Sequence, residues 1–218
     1  MAWFNPPIPD IIQGIIQEWK DMHPDWEVRV WTECDPLMEP EYREIYDSLE
    51  YYCSKSDILS YWLLWKYGGV WSDTDAVPVR RLDPLCNLKG FVGRQYDRKI
   101  ACGFMGAEQK SPMMKYILTL CRQKFIKIPG RGRCKYGPHL LSSKSVMMRY
   151  KSNRYKICPC HYFYITRDRK KCWEWFQKDP VGRKMWMEDK MKKGWMPDRV
   201  MPYSVHLWGI DGSSDRKA

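Results

Sequence analysis

The most regular pattern in the chain runs from 54 to 78. Ile58, Tyr61, Trp62 and Trp65 recur at the three- and four-residue spacing of a helix face. Ser54, with Asp57 three residues on, predicts a capping box at the helix start. Gly68-Gly69 predicts the stop, because glycine accepts the left-handed conformation of a C-terminal cap. Val70 and Trp71 then open a strand, and Asp73-Thr74-Asp75 falls at its end. Upstream, Asp10 is placed to cap a helix carrying Ile11, Ile12, Ile15, Ile16 and Trp19 on one side. Pro24 precedes an expected short strand at 28–31, and 41–52 reads as a second helix.

Downstream, 91–93 and 101–106 read as strands. Ser111-Pro112 pairs an N-cap with a proline at the first helical position, opening a helix to about Phe125. The stretch Pro-Gly-Arg-Gly-Arg-Cys-Lys at 129–135 is expected to be a flexible basic loop. Residues 157–165 alternate as a late strand. Residues 180–193 form a basic amphipathic helix whose Val181, Met185, Met187 and Met191 are assigned to the core. Interleaved helices and short strands with no internal repeat place the chain in the α/β class, with a mostly parallel central sheet flanked by helices.

That placement gives the acidic turn its chemistry. Ligands of open α/β sheets bind outside the carboxyl ends of strands. Alternate residues of an extended chain point the same way, so Asp73 and Asp75 can face one site. Two hard carboxylates beside a phosphate ligand suit Mg²⁺ or Mn²⁺. A bare Asp-x-Asp is also what a solvated turn looks like, and the surrounding residues must decide between the two.

Length and charge narrow the picture. The 218 residues suffice for one domain with a real core. No run of about 18 apolar residues occurs, and the start lacks a secretory pattern, which leads to an expectation of a cytoplasmic protein. Nine scattered cysteines fit free thiols; Cys158, Cys160, His161 and Cys172 match no standard zinc spacing. The net charge of +11 is unevenly spread. Residues 1–108 hold 11 Lys/Arg and 18 Asp/Glu, whereas 109–167 hold 14 Lys/Arg and no acid, and 168–218 hold 12 and 8.

The run Ser-Asp-x-x-x-x-x-x-Leu followed by Tyr-Gly-Gly-Val-x-x-Asp-Thr-Asp resembles the sugar-nucleotide segment of the family-32, DXD-motif glycosyltransferases. The usual form is Ser-Asp-x-x-Arg, about eight residues, then Gly-Gly-x-Tyr-x-Asp-x-Asp; here Ser60 stands where the arginine does. Weaker matches follow in order. They are the opening Trp-Phe-Asn-Pro-Pro, whose first strand is mostly missing, Cys-Gly-Phe-Met-Gly-Ala at 102–107, Gly137-Pro138-His139, the Tyr-Phe-Tyr at 162–164, and Ser-Val-His-Leu-Trp-Gly at 204–209.

The resemblance implies a GT-A fold over 1–210, with a donor half at 1–108 and an acceptor half at 109–210; 211–218 is expected to be a disordered tail. It implies a metal-dependent, retaining sugar transfer from a nucleotide sugar, with uridine diphosphate glucose the expected donor. Asp73, Asp75 and Asp57 are the implied catalytic residues, and Asp75, Asp73 and His206 the implied ligands of Mn²⁺ or Mg²⁺. Trp3, Asp57, Ser60, Thr74, Gly103, His206 and Trp208 are the further donor contacts. On the acceptor side stand Gly137 and His139 with the cations Arg131, Arg133, Lys135, Arg149 and Arg154. Interleaving of such cations, with Lys151 and Lys156, among Tyr136, Tyr150 and Tyr155 suits a polyanion with stackable bases. A hydroxymethylated base in DNA, as in viral DNA modification, is therefore the expected acceptor of a monomeric enzyme. A glycan, lipid or protein acceptor is the first alternative. A non-enzymatic nucleic-acid-binding protein on a transferase scaffold is the second.

Overall fold

The computed structural model describes residues 1–95, 99–127, 136–152, 155–165, 168–194 and 200–207. In chain order it builds α1 (Asp10–Met22), α2 (Pro40–Asp47), α3 (Tyr52–Lys66), β1 (Gly69–Ser72), β2 (Ala76–Pro78), α4 (Asp83–Cys86), β3 (Gly90–Arg94) and β4 (Ile100–Ala107). Then come α5 (Pro112–Lys127), α6 (Pro138–Leu141), α7 (Lys144–Ser152), β5 (Lys156–Cys158), a 3₁₀ turn at Cys160–Tyr162, α8 (Arg169–Phe176), α9 (Pro180–Lys192) and β6 (Ser204–His206). No described helix is long and apolar enough to cross a membrane.

The central sheet has the order β1-β4-β3-β5. β4 runs antiparallel to both β1 and β3, and β5 runs parallel to β3. β1, β3 and β5 therefore point one way and β4 alone opposes them, which makes a mixed sheet. Side chains alternate between its faces. Trp71, Val92 and Met105 join a core with α2, α3, α5 and α7, centred on Trp62, Tyr61 and Ile58. Phe91 and Phe104 join the opposite core, with α1, α8, α9 and the 203–207 segment. The α/β layering expected from the sequence is thus present. A second sheet of two strands, β2 and β6, pairs Ala76 with His206 and Pro78 with Ser204.

Several local expectations need correction. Ser54 does not cap α3; Tyr51 holds that position without a side-chain bond, and Ser54 is buried one turn inside the helix. Asp10 is the first residue of α1 rather than its cap, which is Pro9. The expected strand at 28–31 reduces to one parallel bridge, Ala2 to Trp31. The helix expected at 41–52 stops at Asp47. The alternating stretch 157–165 stays a strand only to Cys158, because Pro159 cannot donate to a ladder and the 3₁₀ turn follows. In α9 only Met187 is fully buried. Val181 and Met185 are 68% and 64% exposed, since α9 turns that face outward.

Other signals hold. Gly68 follows the last turn of α3 at φ +74°, and a Cβ there would lie 2.6 Å from the backbone nitrogen of Gln109, so only glycine fits. Ser111 caps α5, with Oγ accepting from the Met114 N–H at 3.4 Å. Two long-range bonds then fix the frame around the acidic turn. The Trp19 indole N–H donates to the Ala76 carbonyl at 2.7 Å, and the Arg183 Nη1 meets both Glu18 oxygens at 3.0 Å, tying α9 to α1.

Candidate metal and donor site

β1 ends at Ser72, and the backbone N–H of Asp73 still donates to the Gly103 carbonyl at 2.8 Å. That bond holds Asp73 in line with the sheet. The chain then turns, with the Ala76 N–H donating to the Asp73 carbonyl at 3.2 Å, and enters β2. Because Ala76 pairs with His206, the turn and the end of β6 meet. His206 Nε2 lies 3.3 Å from Asp73 Oδ2 and 3.3 Å from Asp75 Oδ1. Asp73, Asp75 and His206 each offer a ligand atom, and those atoms lie within 4.8 Å of one another.

Burial disfavours the His206 imidazolium, but the facing carboxylates of Asp75 and Asp73 outweigh it and raise its pKa above the ordinary value. A divalent cation would replace that proton as the carboxylates' counter-charge. Two carboxylate oxygens and one imidazole nitrogen are a donor set that Mn²⁺ or Mg²⁺ accepts, so the residues present fit the implied metal. The Trp71 indole N–H donates to Asp73 Oδ1 at 3.3 Å, and the Tyr164 ring packs 5.4 Å from the His206 ring, which orients both side chains.

Asp57 lies in α3 and is only 8% exposed. Burial, helped by the nearby Asp73 charge and opposed by a hydrogen bond from Cys102, pushes its pKa up to about 7. The Cys102 thiol is itself pushed well above its usual range by burial and by the charges of Asp57 and Asp73, so it remains protonated and donates. The cradle is tight. A Cβ at Gly103 would lie 2.5 Å from Asp73 Oδ2, and one at Gly137 would lie 2.7 Å from Asp57 Oδ2. Gly103 and Gly137 therefore each leave room for a carboxylate to approach the backbone.

The remaining candidates divide. Thr74 sits half-buried in the turn between Asp73 and Asp75. The Ser60 hydroxyl is buried and donates to the Asp57 main-chain carbonyl at 2.8 Å, while Trp3 is buried with its indole N–H on the Asn5 carbonyl at 2.7 Å. His139 is exposed in α6, two residues after Gly137. Arg149, in α7, stacks over Tyr116 of α5, 4.7 Å from the ring centroid. Trp208, Arg131, Arg133, Lys135 and Arg154 lie outside the described residues, as do the loop at 129–135 and the tail at 211–218. The stacking surface expected around the cations is not there: Tyr136, Tyr150 and Tyr155 are buried at 0%, 0% and 7% exposure, as core residues. Sequence reasoning passed over Cys102 and Trp71. Trp71 was findable, because it stands two residues before Asp73 on one strand and must share its face.

Residues 9–91 match the model of the glycosyltransferase sugar-binding region containing the DXD motif. The chain is 30% identical over 123 residues to inositol phosphoceramide mannosyltransferase 3 of Schizosaccharomyces pombe, covering 54% of this chain and 34% of that protein. It is 32% identical over 110 residues to a mannosyl phosphorylinositol ceramide synthase of Saccharomyces cerevisiae, covering 48% and 29%. It is also 33% identical over 84 residues to an uncharacterised glycosyltransferase of Acanthamoeba polyphaga mimivirus, covering 36% and 33%. The chain thus spans about a third of the length of these relatives. The Asp73-Thr74-Asp75 turn, on which His206 closes, lies within this matched region, so over residues 9–91 the chain is similar to the sugar-binding region of the DXD-motif glycosyltransferases.

Proposed function

We propose that the chain transfers mannose from a nucleotide-activated donor to a hydroxyl of an inositol-phosphate lipid headgroup, with a divalent cation at Asp73, Asp75 and His206. The observation that carries the reading is the convergence of those three ligand atoms within 4.8 Å, beside a buried Asp57. When bound, the cation supplies a Lewis acid that offsets charge developing on the leaving diphosphate. Asp73, Asp75 and His206 would hold it, with the Asp73 carboxylate oriented by the Trp71 indole N–H. Asp57 accepts hydrogen bonds from hydroxyls of the donor sugar, its carboxylate steadied by Cys102. Transfer with retention proceeds on one face: the acceptor oxygen bonds to the anomeric carbon as the bond to the phosphate oxygen breaks, and that phosphate oxygen takes the acceptor's proton.

Mannose replaces the expected glucose, and a lipid the expected DNA, because the yeast relatives are named for mannosyl transfer to inositol phosphoceramide. The basic half supports a phosphate-bearing acceptor in either case, with 14 Lys/Arg and no acid across 109–167. A hydroxymethylated base in DNA is the second reading, on that charge alone. The test is to offer nucleotide-mannose and nucleotide-glucose donors with Mn²⁺, and as acceptors inositol phosphoceramide vesicles or hydroxymethylated duplex DNA. Label in the lipid from the mannose donor is the expected result. Label in DNA alone would replace the lipid reading with the second, and no donor turnover with either acceptor would overturn the enzymatic one.

A further inference from the structure

The N-terminus of α3 lies at the same end of the sheet as the metal cluster. At the other end of the helix the Trp65 carbonyl accepts the Lys110 N–H at 2.7 Å, near the start of β1. Asp57, in the second turn, takes a bond from Cys102 and feels the Asp73 charge. The first turn therefore projects beyond the acidic turn. That end is bare. Its N-cap, Tyr51, makes no side-chain bond, and the first turn holds no acid. It holds Lys55 instead, a charge that the dipole of a helix N-terminus disfavours. Lys55 Nζ packs 4.9 Å from the centroid of the Tyr46 ring and has no ion pair among the described residues. The Tyr51 carbonyl accepts the N–H groups of Ser54 and Lys55 at 3.0 and 3.1 Å, but the Tyr52 N–H has no partner among the described residues. Glu50, just outside the cap, is not free and does not close the helix end.

An independent observation points to a ligand at this end. Ser54 is only 2% exposed, and its Oγ is buried with no hydrogen-bond partner among the described residues. Buried hydroxyls are nearly always bonded, so an orphan one calls for a partner that the protein itself does not supply. Side chains on a helix tilt toward its N-terminus, so the Oγ of Ser54, the third helical residue, is aimed back at the bare end. A backbone N–H, a hydroxyl and an ammonium are all donors, and the helix dipole adds positive potential. Together they are the donor set of an oxyanion site.

We infer that the first turn of α3 is a phosphate site, formed by the Tyr52 N–H, the Ser54 hydroxyl and the Lys55 ammonium, and that it takes the phosphate of the acceptor headgroup. The choice of occupant rests on the inositol-phosphate acceptor proposed above. Ser54 precedes Asp57 by three residues, about 4.5 Å along the helix axis. A phosphate held there stands about one sugar ring from the donor sugar assigned to Asp57, which is the scale on which the phosphate of an inositol phosphate stands from its ring hydroxyls. The donor's diphosphate has a separate counter-charge, the cation at Asp73, Asp75 and His206, and does not need this turn.

The probes are inositol 1-phosphate, inositol and inorganic phosphate, each titrated into the full chain by calorimetry without donor or cation. Saturable millimolar binding of inositol 1-phosphate is expected, with inorganic phosphate at least fivefold weaker and inositol not bound. Tyr52→Pro removes the unpartnered N–H and still suits the helix: proline fits the first helical position, and Tyr51 already has the extended backbone, φ −114° and ψ 133°, that precedes a proline. It should weaken inositol 1-phosphate at least fivefold relative to Tyr52→Ala, which loses the same side chain and keeps the N–H. Lys55→Glu should weaken it at least tenfold and leave the circular dichroism spectrum unchanged. Equal affinity of Tyr52→Pro and Tyr52→Ala, or unchanged affinity in Lys55→Glu, overturns the site. Inorganic phosphate binding as tightly as the inositol ester overturns the headgroup as its occupant. A nucleoside diphosphate with Mn²⁺ that loses as much affinity in Tyr52→Pro would mean that the donor fills the turn, and would overturn the inference as well. The phosphate titrations need no turnover, so a failure of lipid transfer would count against the proposed function and not against this site.

Discussion

Asp57→Asn tests whether the buried carboxyl beside the metal cluster is held as tightly as its surroundings require. The folded chain keeps the Asp57 proton up to about 7, against an ordinary value of 3.8. Between those values the folded state binds more protons than the unfolded one, so stability falls as pH rises through that window. At about 1.36 kcal/mol per unit, the whole effect approaches roughly 4 kcal/mol, and the part between pH 5 and pH 8 is roughly 2 to 3 kcal/mol. Asparagine keeps the shape and removes the titration. Urea unfolding of both proteins at pH 5, 6, 7 and 8, with chelator present to keep the cluster free of metal, isolates the term. The advantage of Asp57→Asn over the parent should grow by roughly 2 to 3 kcal/mol across that range. A difference that stays constant to within about 0.5 kcal/mol would refute the reasoning, because it would mean that Asp57 ionises freely in the folded chain. In turnover assays the same variant should lose discrimination between donor sugars before it loses affinity for the free nucleotide.

Asp75→Asn should lower transfer at least a hundredfold and leave the circular dichroism spectrum unchanged; full turnover of the parent in excess chelator would contradict the metal role. Gly103→Ala forces a methyl to within 2.5 Å of Asp73 Oδ2, so Mn²⁺ affinity measured by calorimetry should fall more than tenfold, and unchanged affinity would show that Asp73 can move aside. The buried His23 accepts the Leu82 N–H at Nε2, at 3.0 Å, and burial lowers its pKa. The unfolded state then takes up the proton first, so the stability His23 contributes is present above 6.5 and is lost as pH falls; His23→Gln should flatten that acid-side loss in thermal melts.

How much of this was legible in the chain depends on how local the cause is. The helix over Tyr52–Lys66, its glycine stop, the strand after it and the paired aspartates were all readable, since each rests on spacing within a few residues. The cap of α5 was readable for the same reason. The cap of α3 was misread because Tyr51 enters the helix three residues before the serine that matches the pattern, and packing overrides the local signal. The basic block misled in another way. Charge is visible in sequence, but whether the tyrosines between the cations face solvent is decided by α5, α7 and β3, and those elements bury them.

By itself the sequence determined the class of the fold, the acidic turn and its chemistry, because hydrophobic period, glycine conformation and carboxylate spacing act over one or two turns of chain. The tertiary structure decided what that turn meets. His206 reaches Asp73 and Asp75 from 133 and 131 residues away only because β2 pairs with β6. Asp57 comes close enough to Asp73 for their charges to interact only because α3 packs against β4, and its proton is retained only because that packing removes water. Proximity between distant segments and the local dielectric are properties of the packed whole, and no window of residues contains them.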